Sequence, residues 1–190
     1  MFEAEVLSGG FSNPAQDSAR AFRACLEAMA RPGRIQQIVG AVPPAPLSPA
    51  AGAILLTLAD ATTPIFIAKS HDTEAVRKWI AFHCSAPVVV AGEADFAIGT
   101  WDALQPVSQF AIGTAEYPDR SATLIVECED ISAPMATLSG PGIETTQTAY
   151  LPTIDAFVAN GAQFPLGFDC YFTAGSQLSA LPRSTKVEAL

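Results

Sequence analysis

TLIVEC, at residues 123–128, is a short and almost continuous run of apolar and β-branched residues. Residues 64–68 and 88–91 form similar runs, and residues 96–98 are a candidate for one more short strand. Such runs, without polar alternation, are typical of strands buried on both faces. Because segments with helical spacing separate them, the sequence predicts an α/β fold of three layers, α/β/α, around a mixed sheet.

Three segments carry signals for the start of a helix. Asn13 followed by Pro14 predicts an N-cap and first helical position, and the Pro-Gly pair at 32–33 predicts the end of that helix. Ser48-Pro49 repeats the signal, and Asp72 is the predicted cap of a third helix. The predicted core face of the first helix is an apolar stripe at helical spacing: Ala15, Ala19, Phe22, Leu26 and Met29.

The C-terminal third contains fewer helical signals. Residues 135–138 are a predicted strand that ends at a Gly-Pro-Gly turn, and residues 153–159 are a predicted helix. Residues 168–173 and 178–181 flank Gly175-Ser176 and predict a β-hairpin. A length of 190 residues suits one domain, and we expect residues 1–190 to form it.

The composition indicates a chain that is partly covered by other subunits. Hydrophobic residues make up 49% of the sequence and charged residues 15%, which leaves few charges to coat a free surface. The net charge of −9 argues against nucleic acid or an anionic membrane as the main partner, since phosphate groups need a basic face. The longest apolar stretch, residues 50–59, is too short to span a bilayer.

The cysteines and the first residues predict a cytoplasmic protein. The N-terminal segment has no basic residue before Arg20, unlike the start of a secretory signal. The four cysteines lie far apart within apolar segments, which favours reduced core residues over disulfides or a zinc site: Cys25, Cys84, Cys128 and Cys170. We therefore expect no metal.

Several local patterns can be interpreted either as structural features or as functional ones. Gly140-Pro141-Gly142 begins like a dinucleotide-binding loop, or it is a turn that closes a strand. His83 and Cys84 are adjacent and suggest a base and a nucleophile, but neighbours on a helix point about 100° apart and cannot act on each other there. His83 lies on the apolar stripe of its helix and is therefore expected in the core. His71 opens a helix and is expected in solvent. Lys69 follows a buried strand, where a lysine either holds pyridoxal phosphate as a Schiff base or lies on the surface.

Two clusters of cations are the main candidates for a binding site. Arg31 and Arg34 bracket the Pro-Gly turn, and Arg183 and Lys186 bracket Ser184-Thr185 near the C-terminus. Guanidinium, ammonium and hydroxyl groups bind phosphate or phosphonate oxygens by charge-assisted hydrogen bonds. They also pair with carboxylates of a partner, or with this chain's own excess of acidic residues. The sequence leaves anion binding and an interface role open for these six residues.

A set of segments, in order along the chain, resembles the PhnH subunit of the bacterial carbon–phosphorus lyase system. The segments are AFRACLEAMARPGRI (21–35), LLTLAD (55–60), TPIFI (63–67), FHCSAP (82–87), SATLIVE (121–127), LSGPGIE (138–144), FPLGFDCYF (164–172) and LPRSTKVE (181–188). The similarity extends from about Asn13 to Glu188.

This resemblance implies a role in the use of organophosphonates as a phosphorus source. Subunits G, H, I and L of that system join a phosphonate to the ribose of ATP with loss of adenine, which gives α-D-ribose 1-methylphosphonate 5-triphosphate. Subunit J, a radical S-adenosylmethionine protein, then cleaves the carbon–phosphorus bond. The family's fold is similar to pyridoxal-phosphate-dependent transferases without the cofactor or its lysine. Its members form homodimers alone and assemble with subunits G, I and J.

No catalytic residue is established for this subunit, so the resemblance transfers none and the catalytic residues stay unknown. An accessory subunit that is not catalytic alone and binds no cofactor is the first hypothesis. A subunit that holds phosphonate or triphosphate oxygens is the second. The third, from another class, is a stand-alone pyridoxal-phosphate enzyme that uses Lys69.

Overall fold

The computed structural model describes residues 7–190, and its centre is a six-stranded mixed sheet. The described residues contain nine strands: β1 Gln36–Gln37, β2 Ile65–Ile67, β3 Phe96–Thr100, β4 Thr123–Glu127, β5 Ala136–Ser139, β6 Gln147–Ala149, β7 Asp169–Ala174, β8 Gln177–Leu181 and β9 Lys186–Ala189. The large sheet has the order β1-β8-β7-β4-β3-β2, in which β2, β3, β4 and β7 are parallel and β8 and β1 are antiparallel to their neighbours. The predicted α/β class and mixed sheet are confirmed.

Three helices cover one face of this sheet. They are α1 Pro14–Ala30, α2 Pro49–Leu58 and α3 Glu74–His83. Ile65, Ile98 and Ile125 lie on that face and pack in one core with Ile54 of α2 and Trp79 of α3. All of these side chains are completely buried, so the hydrophobic effect fixes the helical layer on the sheet.

The opposite face is covered by shorter elements. Leu124 and Phe172 point to this side and pack with Phe157 of α4, Asp155–Gly161. Leu138 reaches the same core from a second, three-stranded antiparallel sheet of order β6-β5-β9. Strands β6 and β9 were not predicted from the sequence, since both are short and each contains two polar residues.

Helix α1 has the predicted bounds, but the stripe of residues that it buries in the core differs from the predicted one. Ala21, Cys25 and Ala28 are buried, whereas Phe22 and Leu26 are 52% and 55% exposed. Small residues at helical spacing allow α1 to lie close to the alanine-rich α2, which large side chains would prevent. The predicted core stripe is therefore wrong, because periodicity does not distinguish a small-residue face from a large one.

Residues 88–91 do not form the strand that was predicted. Val88 makes one isolated bridge with Ile65 beyond the outer edge of β2, Val90 is 66% exposed, and Ala91–Glu93 is a 3₁₀ helix. The neighbour of β2 is instead β3, the segment that the sequence marked only as a short candidate. An apolar run at a sheet edge looks the same in sequence as a run inside the sheet.

Of the three predicted helix caps, one forms as expected. Asn13 precedes α1, but its side chain makes no capping hydrogen bond among the described residues. The Ser48 hydroxyl accepts a hydrogen bond from the Ala51 N–H, as expected for the N-cap of α2. The N-cap of α3 is Thr73, whose hydroxyl accepts from the Val76 N–H, and not the predicted Asp72. The β7–β8 hairpin forms as predicted, with Cys170 opposite Leu181.

Candidate functional site

The six predicted site residues do not form a single cluster. Arg31 is exposed, and its Nε lies 3.4 Å from a Glu27 carboxylate oxygen in the preceding turn of α1. Thr185 is buried, and its hydroxyl has no hydrogen-bond partner within residues 7–190. Ser184 is half-buried, and Lys186 is exposed at the start of β9. Arg34 and Arg183 have separate surroundings, which decide what each of them does.

Arg183 lies in a network of hydrogen bonds that uses its guanidinium within the chain. Its Nη2 is 2.5 Å from Asp169 Oδ2 and its Nε 3.1 Å from Asp169 Oδ1, a two-point contact. Nη1 donates to the Pro118 carbonyl at 2.7 Å, and Nη2 also donates to the Ser121 hydroxyl. With its side chain only 13% exposed, we expect Arg183 to hold the chain together, so that the anion-binding hypothesis depends on other residues.

Arg34 lines a polar cleft of about 450 Å³. The lining of the cleft includes Gln36 of the edge strand β1 and Ser179 of β8 in the large sheet. It also includes Gln147, which begins β6 in the small sheet, and Tyr150, which directly follows β6. Among the described residues that line it, Arg34 is the one charged group. Burial raises the pKa of Tyr150, and its hydrogen bond with Cys128 acts in the same direction, so the phenol stays neutral. The cleft thus combines one cation with neutral donors, as a small anion requires.

The carboxyl ends of the parallel strands gather a second polar cluster, which the sequence did not reveal. Ser70 and His71 follow β2, Glu127 ends β4, and Thr173 lies in β7. The Glu127 carboxylate accepts the Ser48 N–H at 2.7 Å and the Thr173 hydroxyl at 2.9 Å. Polar residues after successive buried strands are the signal that could have found it, because ligands of α/β proteins bind at this edge.

His71 is buried and not in solvent as predicted. Its ring is 4% exposed, its Nδ1 lies 2.9 Å from the Ser70 hydroxyl, and its Nε2 lies 3.9 Å from Glu127 Oε1. Burial lowers the pKa of His71, and the backbone of Pro46 partly opposes this shift. Among the described residues, neither Pro46 nor Glu127 forms a hydrogen bond with Nε2. Burial raises the pKa of Glu127, against the hydrogen bonds from Ser48 and Thr173. The pair therefore favours a neutral imidazole.

The remaining candidates have plain structural surroundings. Lys69 is exposed directly after β2. His83 is half-buried beside the Trp79 ring, with its Nε2 3.2 Å from the Ser8 carbonyl. Burial raises the pKa of Cys84 to about 12, so its thiol is not a nucleophile at neutral pH. The Gly-Pro-Gly segment is a turn, and strand β6 follows it, whereas a dinucleotide-binding loop would be followed by a helix. This agrees with the turn hypothesis.

The described residues show no group of three or more potential metal ligands, and all four cysteines are free. None of the helices within residues 7–190 has the length and apolar character needed to cross a membrane.

Comparison with known proteins matches residues 9–188 to the family model described as "Bacterial phosphonate metabolism protein (PhnH)". A relative from Rhizobium meliloti (strain 1021), the alpha-D-ribose 1-methylphosphonate 5-triphosphate synthase subunit PhnH, is 40% identical over 195 residues, with 98% of each chain covered. A putative C-P lyase subunit protein HtxG from Stutzerimonas stutzeri is 30% identical over 82 residues, which cover 40% of this chain and 42% of the relative. With a family match over nearly all of its length, this chain belongs to the PhnH family of bacterial phosphonate metabolism proteins.

Proposed function

We propose that the chain is an accessory subunit of the carbon–phosphorus lyase core complex, required to form α-D-ribose 1-methylphosphonate 5-triphosphate from ATP and a phosphonate. The observation that carries this proposal is the 40% identity, over 98% of both chains, to a synthase subunit. In this role the chain works in the cytoplasm as one domain, residues 1–190, similar in fold to pyridoxal-phosphate-dependent transferases. It assembles with subunits G, I and J, and pairs with itself when isolated.

The surface of the molecule supports a role in assembly. Large apolar side chains are exposed on separate elements: Phe22 and Leu26 on α1, Val39 and Val42 in the following connector, Phe82 on α3 and Phe164 after α4. Burial of such side chains against a partner is favourable by about 25 cal/mol per Å² of apolar area. Together with the low share of charged residues, these side chains suit a chain that works within a complex.

The test is reconstitution of the synthase with and without this chain. Subunits G, I, J and L, co-expressed with the chain, are expected to retain it through affinity purification by a tag on one of the other subunits. Incubation with ATP and methylphosphonate should release adenine, and omission of the chain should abolish the release. A chain that stays apart from all tagged subunits, or adenine release that is equal without it, would contradict the proposal.

A second candidate function, the binding of a phosphonate or phosphate group, is favoured by the cleft at Arg34. One arginine beside neutral donors offers the charge-assisted hydrogen bonds that a single such group needs. Tyr150 and Gln36 lie within reach of the same space. This hypothesis adds a ligand contact to the accessory role and does not replace it.

Arg34→Ala is expected to weaken the binding of methylphosphonate by at least about tenfold, since a hydrogen bond to a charged group contributes about 1.5–3 kcal/mol. Titration calorimetry of the purified chain measures this change. Arg31→Ala is the matched control, because Arg31 is three residues away, is paired with Glu27 and does not line the cleft. Equal affinity for methylphosphonate in the wild type and Arg34→Ala would show that the cleft is not the binding site.

A further inference from the structure

Ser70 and His71 form a pair that neither proposed function uses. Ser70 is an exposed residue, whereas the His71 ring beside it is almost completely buried. Both lie at the carboxyl edge of the parallel strands, directly after β2. We propose that Ser70 is a nucleophile activated by His71 as general base, in a site that hydrolyses a small phosphate or phosphonate ester.

Hydrogen bonds orient the serine toward the imidazole. The Thr100 backbone N–H donates to Ser70 Oγ at 3.1 Å, which holds the oxygen in place and leaves its own proton for another acceptor. His71 Nδ1, at 2.9 Å, accepts that proton in the tautomer that carries hydrogen on Nε2. Gly99 makes this approach possible, because a Cβ there would lie 2.5 Å from the Ala68 side chain and 3.1 Å from Ser70 Oγ.

The far side of the His71 ring faces a carboxylate across a short gap. Nε2 is buried without a hydrogen-bond partner among the described residues, and Glu127 Oε1 is 3.9 Å away. Glu127 is itself held by Ser48 and Thr173, so its position does not depend on His71. When Nδ1 takes up a proton, this carboxylate stabilises the imidazolium that forms. Glu127 is thus a positioning residue and not a catalytic one.

The neighbouring groups favour a phosphorus ester over a neutral ligand. Lys69, exposed beside Ser70, places a cation next to the nucleophile. Helix α3 begins at Glu74, and the N–H groups of a first helical turn attract anions. The carboxylates nearby are compensated, since Asp72 pairs with Arg77 and Glu74 lies 2.7 Å from Lys78. A tetrahedral anionic group at this edge is therefore attracted by Lys69 and by the start of α3, with the Glu127 carboxylate on the far side of the His71 ring.

The reaction needs only the ester and water. Ser70 Oγ attacks phosphorus, the Oγ–P bond forms, and the P–O bond to the alcohol breaks while the serine proton passes to His71 Nδ1 and then to the leaving oxygen. Water next attacks phosphorus, His71 takes its proton, the Oγ–P bond breaks, and that proton returns to Ser70 Oγ. The products are an alcohol and a phosphate or phosphonate monoanion. His71 is ready for this role because burial lowers its pKa and keeps it neutral at pH 7.

The test is covalent labelling of the full chain with a fluorophosphonate reagent, followed by intact mass and peptide mapping. We expect one adduct, formed with loss of fluoride, on Ser70. Ser70→Ala should lose it, whereas Ser12→Ala, at an exposed serine in the segment before α1, should be labelled like the wild type. Bis(p-nitrophenyl) phosphate should be hydrolysed by the wild type and by Ser12→Ala and not by Ser70→Ala.

Two further measurements separate general-base catalysis from a structural role of the histidine. In the wild type the labelling rate should rise with pH through the pKa of His71, below its usual value of 6.5, and level off once the ring is neutral. His71→Asn should label at least about 100-fold more slowly while its circular dichroism spectrum is unchanged. No adduct in the wild type, an adduct that persists in Ser70→Ala, or a rate independent of pH from 5 to 8 would each overturn the proposal.

Discussion

Arg183→Ala is expected to lower the free energy of unfolding by about 2–4 kcal/mol, because the ion pair is half-buried and loss of one partner of a fully buried pair costs about 3–5 kcal/mol. The change leaves the Asp169 carboxylate, 22% exposed, without its two-point contact. It also removes donors to the Pro118 carbonyl and the Ser121 hydroxyl, which belong to the connection before β4. One side chain thus joins the start of β7, the segment after β8 and the loop that enters β4.

Urea unfolding followed by circular dichroism measures this loss. Arg31→Ala is the matched control, because its exposed pair with Glu27 should contribute less than about 1 kcal/mol. If Arg183 instead served only as an exposed ligand for anions, both variants would unfold at the same urea concentration. A shared midpoint would therefore contradict the structural role given to Arg183.

Gly142→Ala is the second change with a large expected effect, a loss of about 2–5 kcal/mol in the free energy of unfolding. Gly142 has a φ of +81°, where a side chain costs about 1–2 kcal/mol. A Cβ at this position would also lie 1.9 Å from the Ala30 carbonyl oxygen, at the end of α1. Because that atom is backbone, the turn after β5 or the end of the helix has to move, and such overpacking costs about 1–3 kcal/mol more.

Gly175→Ala is the control for conformation without the clash. Gly175 also has a positive φ, +57°, but nothing lies within 4 Å of the Cβ that alanine would add in the β7–β8 turn. Its loss should stay near 1–2 kcal/mol, the conformational cost alone. Thermal or urea unfolding of the two variants compares them directly. Equal losses would show that the contact between the Gly-Pro-Gly turn and α1 does not constrain the fold.

The elements that were predicted correctly depend on nearby residues. Ser48 caps its helix through a hydrogen bond to Ala51, three residues away, and the hairpin between β7 and β8 closes over two residues. The run at 123–128 is apolar enough to be a buried strand in any arrangement of neighbours. Such signals are complete within one segment, so the sequence alone is sufficient to read them.

The candidate sites show the limit of that approach. Of the six predicted residues, Arg34 is the one that lines the cleft beside β1, which is also lined by Gln147 and Tyr150, more than 100 residues later. Arg183 carries the same charge as Arg34 and stands in an equally suggestive segment, yet Asp169 occupies its guanidinium. Charge and spacing in the sequence do not show whether a cation already has a partner.

The sequence alone is sufficient to infer the α/β class, the mixed sheet, the starts of the helices and the likeness to a phosphonate metabolism family. Each of these is indicated by short segments of neighbouring residues. Only the tertiary structure decided which stripe of α1 is buried, that residues 88–91 remain outside the sheet, and that His71 lies beside Glu127, 56 positions later. The reason is physical. Periodicity shows that a segment has an apolar face. Which element packs against that face, and whether a polar group is buried, depends on surfaces that distant parts of the chain supply.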